Sequence, residues 1–317
     1  MTDPTTPEAT EHVTAMRDRL GPVGIWTGGL DGLPVAQAQA FAAAVEAAGA
    51  GGLWYGESYG RESFAQAALV LDATSTLVVG SSIANIYARD AFATRAAVAT
   101  LNARYPGRFA LGLGVSHAPL VERLRGHDYG KPLAFMREYL EAIDQRDPVV
   151  VDAGPSRPRL VAALGPRMLE LSRDQADGAV PYLTMPEHTA QARETLGPDK
   201  LLVVEQGAVV VDDEDTWRER AHTHLEIYTG LPNYRNSWTR QGFDPEQDYV
   251  RGGSERLKSA LVTRGLEATE QRIREHLDAG ADQVCVQVLG AHALDANLGD
   301  VERLLDAAAS AWDLPQR

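Results

Sequence analysis

Short apolar runs rich in Val, Ile, Leu and aromatic residues recur along the chain. Each is followed by a longer segment whose apolar residues repeat near 3.6. The runs cover residues 22–28, 52–58, 77–85, 108–117, 158–164, 178–184, 201–211 and 283–290, which predicts eight strands. The segments between them predict helices. One, "LPVAQAQAFAAAVEAAGAG", is Ala-rich and closed by Gly49. Another, "PRMLELSRDQAD", opens on Pro166, a residue suited to a first helical turn. Strands alternating with helices over this length predict an α/β fold, a (β/α)8 TIM barrel. A doubly wound sheet is the alternative, but "IWTGGLDGLP" lacks the GxGxxG spacing of its first turn.

Residues 1–20 are polar and rich in Pro, Thr and Glu. They read as a flexible arm with a helical turn near 11–20, and residues 21–317 as one barrel domain. Residues 229–265 break the rhythm with Asn, Trp, Arg and Gly. They read as an insertion or lid before the last strand.

A barrel carries its chemistry at the C-terminal ends of its strands. That rule explains "LVVGSSIAN" (residues 77–85), which begins as a core strand and ends in Ser81, Ser82 and Asn85. The same rule selects Trp26, Glu57, Ser58, Tyr59, Ser82, Ile83, Ala84, Val115, Ser116, His117, Leu164, Tyr182, Glu205 and Gln287.

This set holds no metal-ligand constellation, since one acid on the second strand and one His on the fourth do not make a centre. His222 and His224 are two apart on a helix and point to different faces. No strand-end Lys offers a Schiff base and no GxSxG elbow is present. Small, polar and aromatic side chains remain, a lining for a flat redox cofactor. "LVAALGPRMLEL" is the phosphate candidate. Gly165 lets the backbone come close, Pro166 opens a helix, and the N–H groups near Arg167 and Met168 face the strand ends. A tight loop with a surface Arg reads the same residues equally well. Glu57 reads as a ring contact or proton carrier, or as a partner of Arg61. His117 reads as a general acid or base, or as a solvated loop His.

Composition narrows the partners. The 317 residues carry a formal net charge of −14, which disfavours nucleic acid and anionic membranes. The lone Cys285 lies in the apolar "QVCVQVL" and reads as a core thiol. The N-terminus lacks a signal-peptide pattern and no apolar run reaches 18 residues, so a cytoplasmic location is expected.

The motifs "GPVGIWTG", "LWYGES", "VVGSSIANIYARDA", "RFALGLGVSH", "ALGPRML" and "ADGAVPYL", in this order, resemble the luciferase-like monooxygenase superfamily. Within it the chain is similar to the coenzyme F420-dependent oxidoreductases. The resemblance implies a barrel with a non-prolyl cis peptide in strand three, here Ser82–Ile83, that backs the deazaflavin ring. It implies cofactor contacts from Ala84, Asn85, Val115 and Ser116. Leu164, Gly165, Pro166, Arg167 and Met168 match the segment that binds the phosphate-bearing tail, and Glu57 an acidic position at the ring or ribityl chain. His117 and Ser58 stand where a sugar-phosphate-oxidising branch has its catalytic Glu and His, so that reaction is not carried over.

The expected function is hydride transfer between F420 and a small organic substrate. Glu57 and His117 are the candidate catalytic residues, and Trp26, Tyr59, Tyr182 and the segment around residues 234–238 line the substrate pocket. The alternatives are an FMN-dependent monooxygenase and a non-catalytic flavin-binding barrel. A homodimer is expected by analogy.

Overall fold

A computed structural model describes residues 7–145, 158–292 and 294–312. The strands are β1 (Val23–Trp26), β2 (Gly52–Tyr55), β3 (Val78–Ser81), β4 (Ala84–Asn85), β5 (Phe109–Gly114), β6 (Arg159–Val161), β7 (Gly178–Ala179), β8 (Leu201–Val209), β9 (Val262–Arg264) and β10 (Gln283–Val288). The helices before the midpoint are α1 (Pro7–Leu20), α2 (Val35–Ala47), α3 (Ser63–Asp72), α4 (Ala91–Arg104) and α5 (Pro132–Ile143). They continue with α6 (Pro166–Gln175), α7 (Pro186–Leu196), α8 (Glu214–Tyr228), α9 (Pro232–Arg240), α10 (Glu255–Leu261), α11 (Gly265–Asp278) and α12 (Leu298–Trp312).

Parallel pairing runs β10-β1-β2-β3-β5-β6-β7-β8 and closes through β8 and β10, where Val203 faces Gln283. This is the (β/α)8 barrel that the alternation predicts. The inward residues form a packed plug of Trp54, Val78, Ala110, Leu160, Val180, Leu201, Val203 and Cys285. The Trp54 indole lies over the neighbouring strand, where a Cβ at Gly80 would fall 2.2 Å from its ring. Its Nε1 donates to Gln283 Oε1 at 2.8 Å. The outward strand residues, among them Val23, Leu53, Val79 and Val204, bury against helix residues such as Phe41, Leu71, Leu140 and Ile273. Each such side chain contributes about 1.5–3 kcal/mol.

One expectation changes. Residues 7–20 of the expected flexible arm form α1, and the first six lie outside the described residues. Val13, Met16 and Leu20 make a short apolar stripe that closes the barrel floor, and a polar composition hid it. A Cβ at Gly51 would fall 1.7 Å from Leu20 O, so that position admits only Gly. Arg17 Nε is fixed by Asp282 at 2.7 Å. Residues 229–265 contain α9, α10 and β9, and β9 adds to the upper part of β8 at Gly207↔Val262.

Candidate active site

The third strand is broken where the polar residues begin. Gly80 pairs with Ala110 of β5, and pairing resumes at Ala84 with Leu113. Four steps on one strand therefore match three on the other, which makes a bulge. The Ser82–Ile83 peptide within it is cis. Ser81 fills the broken ladder: its Oγ donates to Gly112 O at 2.8 Å and accepts from Gly112 N at 3.0 Å. The glycines of "LGLG" make room, since a Cβ at Gly112 would meet Ser81 O at 1.9 Å and one at Gly114 the Ile83 side chain at 2.3 Å.

Glu57 holds this bulge from the second strand. Its Oε2 accepts from Asn85 N at 2.8 Å and from Arg89 Nη1 at 3.0 Å. Its Oε1 accepts from Ser63 N at 3.3 Å and from Arg89 Nη2. Its own N–H donates to Ile83 O at 3.1 Å. All four carboxylate acceptor positions are thus filled. The carboxylate thus ties the second strand to the bulge, and its cationic partner is Arg89 rather than Arg61. Arg61 instead donates to the carbonyls of Leu30 and Leu33.

Above the bulge lies a cavity of about 390 Å³ at the C-terminal ends of the strands. Trp26, Glu57, Ser82, Ile83, Val115, Ser116, His117, Leu164, Gly165, Met168 and Tyr182, all selected from the sequence, line it. Tyr129, Tyr228, Asn233, Tyr234, Asn236 and Arg240 are also among its lining residues. One wall is aromatic. The Tyr182 ring sits 5.2 Å from Trp26, 5.6 Å from Tyr228 and 6.3 Å from Tyr234. The Tyr182 hydroxyl donates to Gln287 Oε1 at 2.6 Å, and the Tyr228 hydroxyl to Tyr182 Oη at 3.3 Å. Burial pushes the Tyr228 hydroxyl up to about 12.

His117 meets this wall at 5.7 Å from the Tyr234 ring. Its Nδ1 is buried without a hydrogen-bond partner. Burial lowers its pKa, opposed by a hydrogen bond from the Asn233 side, so the ring is neutral at pH 7.

At the other end, α6 begins at Pro166 after Gly165. Met168 N–H closes onto Gly165 O at 3.1 Å, so it is not free as expected. Arg167 is exposed and does not line the cavity. Arg240, from the last turn of α9, is the arginine that lines the cavity there. Its Nη2 donates to Leu164 O at 2.9 Å, and it is 3.5 Å from a Cβ built on Gly165.

Ala84 and Asn85 are buried in the bulge and do not line the cavity, nor does Pro166. Tyr59, expected in the substrate pocket, points to solvent with 75% exposure. Trp238 is buried beneath the aromatic wall, its Nε1 donating to Leu183 O at 3.0 Å. Cys285 is enclosed in the barrel, and burial raises its thiol pKa. Among the described residues no cluster of three or more His, Cys, Asp or Glu is arranged to hold a metal ion, and no helix is long and apolar enough to cross a membrane.

The family model for the luciferase-like monooxygenases matches residues 20–289. The chain belongs to this family. A Mycobacterium tuberculosis protein assigned to the coenzyme F420-dependent oxidoreductases is 28% identical over 184 residues, which span 49% of this chain and 53% of that relative. The chain thus matches about half the length of this curated relative. Solved structures similar in fold include the coenzyme F420-dependent tetrahydromethanopterin reductase of Methanopyrus kandleri. It superimposes with a TM-score of 0.71 at 18% identity, covering 91% of this chain and 97% of its own. The oxygenating constituent of 3,6-diketocamphane monooxygenase from Pseudomonas putida, in complex with FMN, gives a TM-score of 0.68 at 11% identity, covering 92% and 98%. At these identities the two structures establish the shared barrel fold alone.

Proposed function

We propose that this luciferase-like enzyme is an F420-dependent oxidoreductase acting on a small, flat organic substrate. The observation that carries the reading is one cavity with a strand bulge at one end and the Gly165–Arg240 corner at the other. The residues fit such a cofactor. The unpartnered Nδ1 of His117 marks a polar atom awaiting a ligand, and Gly165 leaves its backbone open. When bound, the deazaflavin supplies hydride transfer at its C5.

The chain's residues do the rest. Ser82 and Ile83, held by Glu57 and Arg89, would support the ring. Leu164, Gly165 and Met168 would hold the tail, with Arg240 as counter-charge to a phosphate. Val115 and Ser116 would contact the ring. The aromatic wall of Trp26, Tyr182, Tyr228 and Tyr234 excludes water and stacks on a flat substrate. Neutral His117 moves a proton at Nδ1 to or from the substrate heteroatom.

Titration of the purified chain with F420, its reduced form and FMN tests this reading. F420 binding on the order of micromolar supports it, and no binding by either deazaflavin form defeats it. FMN binding with oxygen consumption on reduction would make the chain a monooxygenase instead. The reading includes a homodimer, supported by analogy alone, and keeps the cytoplasmic location expected from the sequence.

A further inference from the structure

Inside the barrel, beneath the aromatic wall, lies one carboxyl group that the site does not use. Glu205 of β8 is 1% exposed. Its Oε2 accepts from Leu183 N at 2.9 Å, and its Oε1 has no partner. Among the described residues no Arg or Lys pairs with it. The titratable groups that face it are the hydroxyls of Tyr182, Tyr228 on α8 and Tyr234 on α9, and the thiol of Cys285 on β10. None of them is a cation.

The amide that Glu205 binds belongs to a constrained residue. Leu183 has φ +55°, a left-handed conformation that a branched side chain rarely adopts. Its N–H is held by Glu205, and its C=O by the Trp238 indole at 3.0 Å. Leu183 directly follows Tyr182, so its backbone sets where that ring stands. A Leu at position 205 would fill the same space but leave the Leu183 amide buried and unpaired.

We propose that Glu205 is a positioning residue: by clamping the Leu183 amide it fixes Tyr182 in the wall against which the substrate lies. The assignment of that wall to the substrate rests on the function proposed above. Burial pushes the Glu205 carboxyl up to about 8, so it works as a neutral acid at pH 7. Ionisation would place an unpaired charge under three tyrosines and loosen the wall.

The test compares the full-length chain with Glu205→Gln and Glu205→Leu. Near-ultraviolet circular dichroism reports the tyrosine wall, and F420 titration reports the cofactor end. In the wild type the near-ultraviolet signal should shift with a midpoint near pH 8. Glu205→Gln keeps an acceptor and should show the wild-type pH 7 spectrum with no such shift. Glu205→Leu should lose that spectrum at every pH while binding F420 within about twofold of wild type. A wild-type spectrum in Glu205→Leu would overturn the proposal, as would a pH shift retained in Glu205→Gln. The Gln variant decides alone if the Leu variant does not fold. Failure of the wild type to bind F420 sinks the cofactor reading and leaves the spectroscopic arms in force.

Discussion

Glu57 and Arg89 form a bidentate pair at the edge of the cavity, with Arg89 Nη1 on Glu57 Oε2 at 3.0 Å and Nη2 on Oε1. The same carboxylate takes the Asn85 amide at 2.8 Å, so one side chain ties the second strand to the far side of the bulge. The pair is enclosed, with side-chain exposures of 12% for Arg89 and 5% for Glu57.

Glu57→Gln should therefore act on structure first. It removes the enclosed partner of Arg89 and leaves only Glu62, 2.8 Å from Arg89 Nη2, at a cost of up to about 3 kcal/mol. Urea unfolding should show that loss, and F420 affinity should fall with it because the bulge loses its anchor. Unchanged stability together with abolished turnover would return Glu57 to a proton-carrying role.

Arg240 and Arg167 separate cleanly by substitution. Arg240→Ala should weaken F420 binding about tenfold or more, the range for a lost charge-assisted hydrogen bond, and should reduce its salt dependence. Arg167→Ala should leave binding unchanged, since that side chain stands outside the cavity. Fluorescence titrations at two ionic strengths read both effects, and the reverse ranking would place the phosphate at α6 without help from α9.

His117→Gln should spare cofactor binding and damage turnover by roughly 10²–10⁴-fold, the usual contribution of a positioned acid or base. Steady-state kinetics with reduced F420 and a panel of cyclic enones and ketones measures it. If affinity for F420 collapses while turnover at saturation holds, His117 binds the cofactor instead.

Acid should destabilise the fold before most carboxylates titrate. Burial lowers His188 to about 4 and His276 to about 3, so both fold as neutral rings. His276 is locked by Thr189 at 2.8 Å and faces Gln206 at 3.2 Å. Their pKa values lie below the unfolded value of about 6.5, so the unfolded chain binds more protons between the two. Stability is full above that value and falls with pH, by roughly 1.4 kcal/mol per unit for each ring. Urea midpoints from pH 7.5 to 4.5 should decline accordingly, and His276→Gln should flatten the slope. A slope that the substitution leaves intact would assign the acid sensitivity elsewhere.

The alternation of apolar runs with helix-period segments determined the barrel by itself, because each closing strand and each covering helix has its own local pattern. The strand ends of a barrel converge on one face, so residues such as Trp26, Ser82, His117 and Tyr182 could be picked from their place in the run. Tertiary structure decided the rest. Residue type alone made Arg167 and Arg240 equivalent, and only the path of α9 over Leu164 brings Arg240 to the cavity. Arg61, four residues on, was the partner the sequence offered for Glu57, and only the tertiary path of the chain brings Arg89 to it instead. The stripe of Val13, Met16 and Leu20 gained meaning only from the open barrel floor above it. Glu205 was one strand-end residue among many in the sequence. Its role depends on a backbone amide 22 residues away, a contact with no local pattern to announce it.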